Sequence, residues 1–146
     1  MSVFTVSLST SVVINSPARR VWDELTDLRG YRDWNPYYRE ADGTVELGSK
    51  VVLKASLPSG RSATSRCTVT SVQTERELAW ISSFGLPRLM DATHSFLLTE
   101  DENGGTLLTQ HETFSGLLVP LSGQVVEDVK EACDGMARAL KARIEE

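Results

Sequence analysis

From Ser122 to Ile144 the apolar residues Val125, Val129, Ala132, Met136, Leu140 and Ile144 recur at three- or four-residue spacing, the pattern of a long amphipathic helix. Such a helix is stable only with its apolar stripe against another surface, so the preceding chain has to form a matching apolar layer. That chain reads as strands. Phe4, Val6, Leu8, Val12 and Ile14 share one parity over the first 13 or so residues, with mostly Ser or Thr on the other. Short strand-like runs follow at Tyr38–Val45, Lys50–Leu57, Ser62–Gln73, Glu77–Ser83, Leu89–Thr99 and Thr106–Phe114, separated by turn residues as in an antiparallel meander. With 146 residues, 40% of them hydrophobic, a single domain over residues 1–146 is expected, with no internal repeat or linker. Gly135, inside the helical run, costs about 1 kcal/mol relative to alanine and marks either close packing or space left for something else.

Between the first strand and the meander, Ile14–Asn15–Ser16–Pro17 leads into Val21, Trp22, Leu25 and Leu28 at helical spacing. Ser16 suits a helix N-cap and Pro17 the first helical position, so a short helix is predicted here, followed by an aromatic turn around Tyr31, Trp34, Asn35 and Pro36. In a meander alternate turns lie at opposite ends of the sheet, and the two ends differ in composition. Glu46–Leu47–Gly48, Thr74–Glu75–Arg76 and the 100–105 turn are polar, whereas Leu57–Pro58–Ser59–Gly60, Phe84–Gly85–Leu86–Pro87 and the 116–121 segment are apolar. Loops are ordinarily polar, so three apolar loops at one end indicate a mouth or a contact surface.

Asn15–Ser16–Pro17, Val21–Trp22, Asp27 and Trp34–Asn35–Pro36 open a series that continues in order along nearly the whole chain. Its later members are Gly43 and Gly48 around a turn, Leu78–Ala79–Trp80, Thr93–His94–Ser95–Phe96, Gly104–Gly105–Thr106 and Glu112–Thr113–Phe114–Ser115–Gly116. In these motifs the sequence resembles the START-like, or Bet v 1-like (SRPBCC), superfamily, and within it the bacterial polyketide cyclase/dehydrase and lipid-transport branch. The resemblance implies an α+β helix-grip fold. In it a curved antiparallel sheet of about seven strands wraps around a long C-terminal helix, one or two short helices follow the first strand, and a ligand cavity lies between sheet and helix. Strand parity then turns Leu78, Trp80, His94, Phe96, Leu98, Leu108, Gln110, Glu112 and Phe114 inward, opposite Val129, Met136 and Leu140, with Cys133 near the edge. With Trp34, Phe84 and Leu118 added from the loops, the non-catalytic members are the candidate ligand-binding residues. For each apolar one taken singly, filling of a solid core is the plainer reading.

His94 and Glu112 share inward parity on adjacent strands. They are candidates for proton transfer in an aldol-type cyclisation or dehydration, or for a buried pair that only satisfies itself. Arg61, Arg66 and Arg88, near the apolar loops, can meet a ligand carboxylate or simply be solvated. Asp33, Trp34, Asn35 and Tyr37 are candidates to close one edge of the cavity. There is no G-x-S-x-G, phosphate-loop or H-E-x-x-H pattern. His94 and His111 fall on opposite parity, so no metal site and no cofactor are expected, and His111 is expected to face water. Cys67 and Cys133 form no C-x-x-C and read as buried reduced thiols.

A formal net charge of −5, with 15 basic residues scattered, leaves no positive stripe for nucleic acid. Met1–Ser2–Val3–Phe4–Thr5–Val6 has neither a basic leader nor a long apolar run, and no later segment is long enough for a bilayer. A cytoplasmic monomer or homodimer without stable membrane insertion is expected. Binding of a small lipid-, polyketide- or aromatic-like hydrophobic molecule is the leading functional expectation. The alternatives are a cyclase or dehydratase using His94 and Glu112, and a protein-contact module like the Hsp90-activator homologues.

Overall fold

The computed structural model describes residues 4–83 and 89–146. Strands β1 (Phe4–Ile14), β2 (Tyr38–Gly43), β3 (Lys50–Ser56), β4 (Ser62–Gln73), β5 (Glu77–Ser83), β6 (Asp91–Glu100) and β7 (Thr106–Gly116) form one antiparallel sheet in the order β1-β7-β6-β5-β4-β3-β2. Helix α1 (Ala18–Thr26) and a 3-10 helix, Leu28–Asp33, follow β1; a second 3-10 turn, Val119–Leu121, precedes helix α2 (Gly123–Glu145). This is the helix-grip architecture, with the sheet wrapped around α2. Among the described residues no helix is long and apolar enough to cross a membrane.

Period-two patterning is clearest in β6 and β7. Ala92, His94, Phe96 and Leu98 are buried on one strand, and Leu108, Gln110, Glu112 and Phe114 on the other, while the intervening residues are more open. On α2 the buried stripe runs through Val129, Ala132, Cys133, Met136, Leu140 and Ile144. Burial of a side chain such as Leu140 or Met136 contributes about 1.5–3 kcal/mol, which holds the helix in the grip. Its C-terminal end is tied down by polar contacts. Arg143 Nε donates to Glu24 Oε2 at 2.7 Å, Lys141 Nζ to the Val13 carbonyl at 2.7 Å, and the Asn15 amide to Glu145 Oε2 at 2.8 Å.

Several local expectations are corrected. Ser16 does not cap α1: Pro17 is the N-cap, in an extended conformation with no side-chain cap bond. Its carbonyl accepts from Arg20 N at 3.0 Å, and the Ser16 carbonyl is taken by the Thr106 hydroxyl at 2.7 Å. Strand β2 ends at Gly43 instead of Val45, because Gly43 has φ +129° and a Cβ there would stand 2.6 Å from the Lys50 carbonyl oxygen. Strand β6 begins at Asp91, two residues later than the apolar run suggests. Gly135 is not a point of enforced close approach, since a Cβ would meet Pro36 Cγ at 3.8 Å, an ordinary contact.

The sheet's curvature sets up the site. Register shifts interrupt β2 between Tyr38 and Glu40 and β4 between Val69 and Ser71, where extra residues bend a strand. Four strand spacings separate β2 from β6, about 19 Å in a flat sheet. Yet the Tyr38 hydroxyl lies 2.6 Å from His94 Nδ1, because curvature folds the β2 edge back over the middle of the sheet.

Candidate functional site

The two tyrosines at the start of β2 are set by Asn35, whose Oδ1 accepts from the Tyr37 and Tyr38 amides, both at 2.9 Å. This side-chain turn aims both rings inward, stacked on one another with centroids 4.1 Å apart. They form one wall of a cavity of about 510 Å³. Leu53 and Ala55 of β3, Ser65 and Cys67 of β4, Trp80 and Ser82 of β5, Ala92 and His94 of β6, and Glu112 and Phe114 of β7 build the curved floor. Val125 and Val129 of α2 close it, and Leu57, Arg61, Ser62, Ala63 and Met90 stand at the end where the apolar loops were predicted. The β3–β4 turn is fastened to α2 there, because the Ser59 amide and hydroxyl both donate to the Asp128 carboxylate.

His94 and Glu112 are directly opposite one another in the β6–β7 register, and Trp80 is opposite His94 on the other side. The imidazole is 1% exposed and stacks on Phe96 with centroids 4.1 Å apart. Gln110 Nε2 donates to the Cys133 carbonyl at 3.0 Å, which turns Gln110 Oε1 toward His94 Nε2 at 2.9 Å. An amide oxygen only accepts, so the imidazole hydrogen is on Nε2 and Nδ1 is the bare acceptor facing the Tyr38 hydroxyl. Burial lowers His94 to about 3, against the opposing effect of the Gln110 bond, so the ring is neutral at pH 7.

Glu112 Oε2 lies 3.2 Å from His94 Nδ1 and accepts a long bond, 3.5 Å, from Cys133 Sγ. Burial raises Glu112 to about 8, and the thiol contact only partly opposes this. At neutral pH the pair is an imidazole beside a carboxylic acid and carries no net charge separation. Burial, reinforced by the Glu112 charge when it forms, pushes the Cys133 thiol well up, and burial raises Cys67 to about 11. Both cysteines are buried free thiols. His94, Glu112 and Cys133 present donor atoms within 4.8 Å of one another, already joined in this internal hydrogen-bonded cluster.

Of the residues singled out from the sequence, Tyr37, Trp80, His94, Glu112, Phe114 and Val129 line the cavity. Leu78, Phe96, Leu98, Leu108, Gln110, Met136 and Leu140 face inward but do not line it. They pack together in the half of the sheet–helix interface away from the Leu57 turn, where the side chains of α2 and the sheet meet. Trp34 packs edge-on against Tyr31 with centroids 5.3 Å apart, and Leu118 is 41% exposed, so neither borders the cavity. Leu117 and Leu121 are also exposed on the outer surface. Arg61 stands at the rim and Arg66 points outward on β4, while Phe84 and Arg88 lie outside the described residues. His111 is exposed. Sequence reasoning passed over Tyr38, Cys67, Met90 and Ala92. Parity on β4 and β6 was a usable signal for Cys67 and Ala92, but none was available for the reach of Tyr38.

Comparison with known proteins agrees with this architecture. A protein from Mesorhizobium loti is 18% identical, with 96% of this chain and 97% of that chain covered at a TM-score of 0.76. The Zhui aromatase/cyclase from Streptomyces sp. R1128 is likewise 18% identical, with 97% and 94% covered at 0.75. Ara h 8.0201 is 15% identical, with 97% and 98% covered at 0.74. At such identities the likeness is one of fold. No curated protein sequence gives a significant match. A family profile described as polyketide cyclase / dehydrase and lipid transport matches residues 5–145, and by that near-complete match the chain belongs to this family.

Proposed function

We propose that the chain binds a small, mainly hydrophobic molecule in the cavity between sheet and α2. The observation that carries this reading is the cavity itself. Its volume of about 510 Å³ falls within the roughly 300–1,000 Å³ typical of small-molecule sites, and its walls are mainly aromatic and aliphatic, with the His94–Glu112 cluster, three serine hydroxyls and Arg61 at the rim as the polar groups. A domain of this size ordinarily fills its interior to crystal-like density, so unfilled apolar volume on this scale favours an occupant. Native mass spectrometry of protein purified without detergent, followed by extraction of what leaves on denaturation, tests it. A stoichiometric apolar adduct is expected. An empty protein that also fails to take up a hydrophobic fluorescent dye would overturn the reading.

A second reading rests on His94 and Glu112, which are 3.2 Å apart and both on the cavity wall. The Tyr38 hydroxyl, passing its hydrogen to His94 Nδ1, can take a proton from beside a ligand carbonyl while the protonated Glu112 carboxyl protonates the oxygen of an aldol product, as a cyclase or dehydratase requires. The likeness to an aromatase/cyclase supports this class of reaction without identifying a substrate. Turnover of a poly-β-ketone thioester, lost in both His94→Ala and Glu112→Ala while a hydrophobic dye is still taken up, is the expected result. Unchanged turnover in His94→Ala would sink it.

A further inference from the structure

The hydrogens of the polar cluster do not balance. His94 Nδ1 has one lone pair, and two oxygens converge on it: the Tyr38 hydroxyl at 2.6 Å and Glu112 Oε2 at 3.2 Å. The shorter contact belongs to Tyr38, which takes the lone pair. On Glu112, Oε2 already accepts from Cys133 Sγ, and Oε1 has no hydrogen-bond partner among the described residues. An ionised Glu112 would face a nitrogen lone pair with one weak thiol donor as its only compensation among the described residues, so the geometry favours the protonated acid. The acid then holds a hydrogen that no group among the described residues accepts, on a side chain that lines the cavity.

We propose that the cavity takes an uncharged apolar ligand bearing a carbonyl oxygen, and that this oxygen accepts the carboxylic hydrogen of Glu112. The proposal rests on the reading of the cavity as a hydrophobic binding site and specifies the ligand class. The apolar lining of Leu53, Trp80, Met90, Ala92, Phe114 and Val129 suits the body of such a molecule and disfavours a buried charge. A carbonyl brings an acceptor and no donor, which is the complement of a cluster with one donor in excess. Ionisation of Glu112 removes the hydrogen and sets an anionic oxygen against the ligand's own, so carbonyl recognition weakens as pH rises. The groups facing Glu112 are Tyr37 just before β2, Tyr38 from β2, Cys67 from β4, His94 from β6 and Cys133 from α2, with Arg61 at the rim. Burial keeps the phenols and thiols protonated and the imidazole neutral over the pH range that matters, leaving Glu112 as the group that changes.

The test compares fluorene with fluorenone, the same ring skeleton without and with a carbonyl, by calorimetric titration of wild type, Glu112→Gln and Glu112→Leu between about pH 6 and 9. Wild type is expected to bind fluorenone at least as tightly as fluorene at the acid end, with the carbonyl stretch of bound fluorenone shifted to lower wavenumber. That preference falls roughly three- to tenfold toward the alkaline end, the worth of one hydrogen bond. Glu112→Gln keeps an amide donor and shows a preference independent of pH; Glu112→Leu prefers fluorene throughout. A wild type that prefers fluorene at every pH, with an unshifted carbonyl, overturns the proposal while leaving the hydrophobic site standing. If wild type takes up neither compound nor a hydrophobic dye, the binding reading itself falls.

Discussion

Replacing Glu112 by glutamine is expected to remove a loss of stability that the wild-type chain suffers above about pH 6.5. The folded-state pKa of Glu112 is raised to about 8 from an ordinary value of 4.5. Between those values the folded state holds a proton that the unfolded state has released, so stability declines as pH rises. His94 has the opposite sign. Lowered to about 3 from 6.5, it leaves the unfolded state holding the extra proton in that window, so its contribution is present above 6.5 and is lost as pH falls. From 4.5 to 6.5 the two slopes oppose and largely cancel. From 6.5 to 8 only Glu112 remains, and one proton over that interval amounts to about 2 kcal/mol, or roughly 6 °C in Tm for a domain of this size. Urea denaturation followed by fluorescence, at about pH 5.5, 7 and 8.5, measures it. All other titrating groups are common to both proteins, so the difference between the two profiles isolates residue 112. Wild type should weaken across the alkaline interval while Glu112→Gln stays level. Parallel profiles would show that Glu112 is ionised in the folded protein, and the argument from burial would be wrong.

Leu140→Ala, in the fully buried stripe of α2, should cost about 2–5 kcal/mol in the same denaturation experiment, because the packed half of the interface has no room to collapse around the deletion. Gly43→Ala places a side chain at φ +129°, with its Cβ 2.6 Å from the Lys50 carbonyl oxygen. About 1–3 kcal/mol of destabilisation, read as a lowered Tm, is expected, and an unchanged Tm would mean that the β2–β3 connection yields easily.

Strand parity was legible because a pleated strand alternates faces whatever surrounds it. Each of Leu78, Trp80, His94, Phe96, Leu98, Leu108, Gln110, Glu112 and Phe114 faces inward as the period-two pattern required. The pairing of His94 with Glu112 was legible for the same reason, since a short polar turn at 100–105 leaves little freedom of register between β6 and β7. Ser16 was misread because capping depends on where a side chain can turn. Its propensity pointed to a cap, while the Thr106 hydroxyl, ninety residues away, engages its carbonyl.

Order of elements, the inward face of each strand, the amphipathic stripe of α2 and the apolar character of one end of the sheet were all determined by the sequence alone. They follow from periodicity and local backbone preference, which act over a few residues. Which inward residues fill the core and which line a cavity was decided only in three dimensions, where side chains from α2 meet one half of the sheet and leave the other open. The protonation of the polar cluster was decided there too. Sheet curvature brings Tyr38 from the far edge to His94, and burial of both His94 and Glu112 makes the uncharged forms the stable ones.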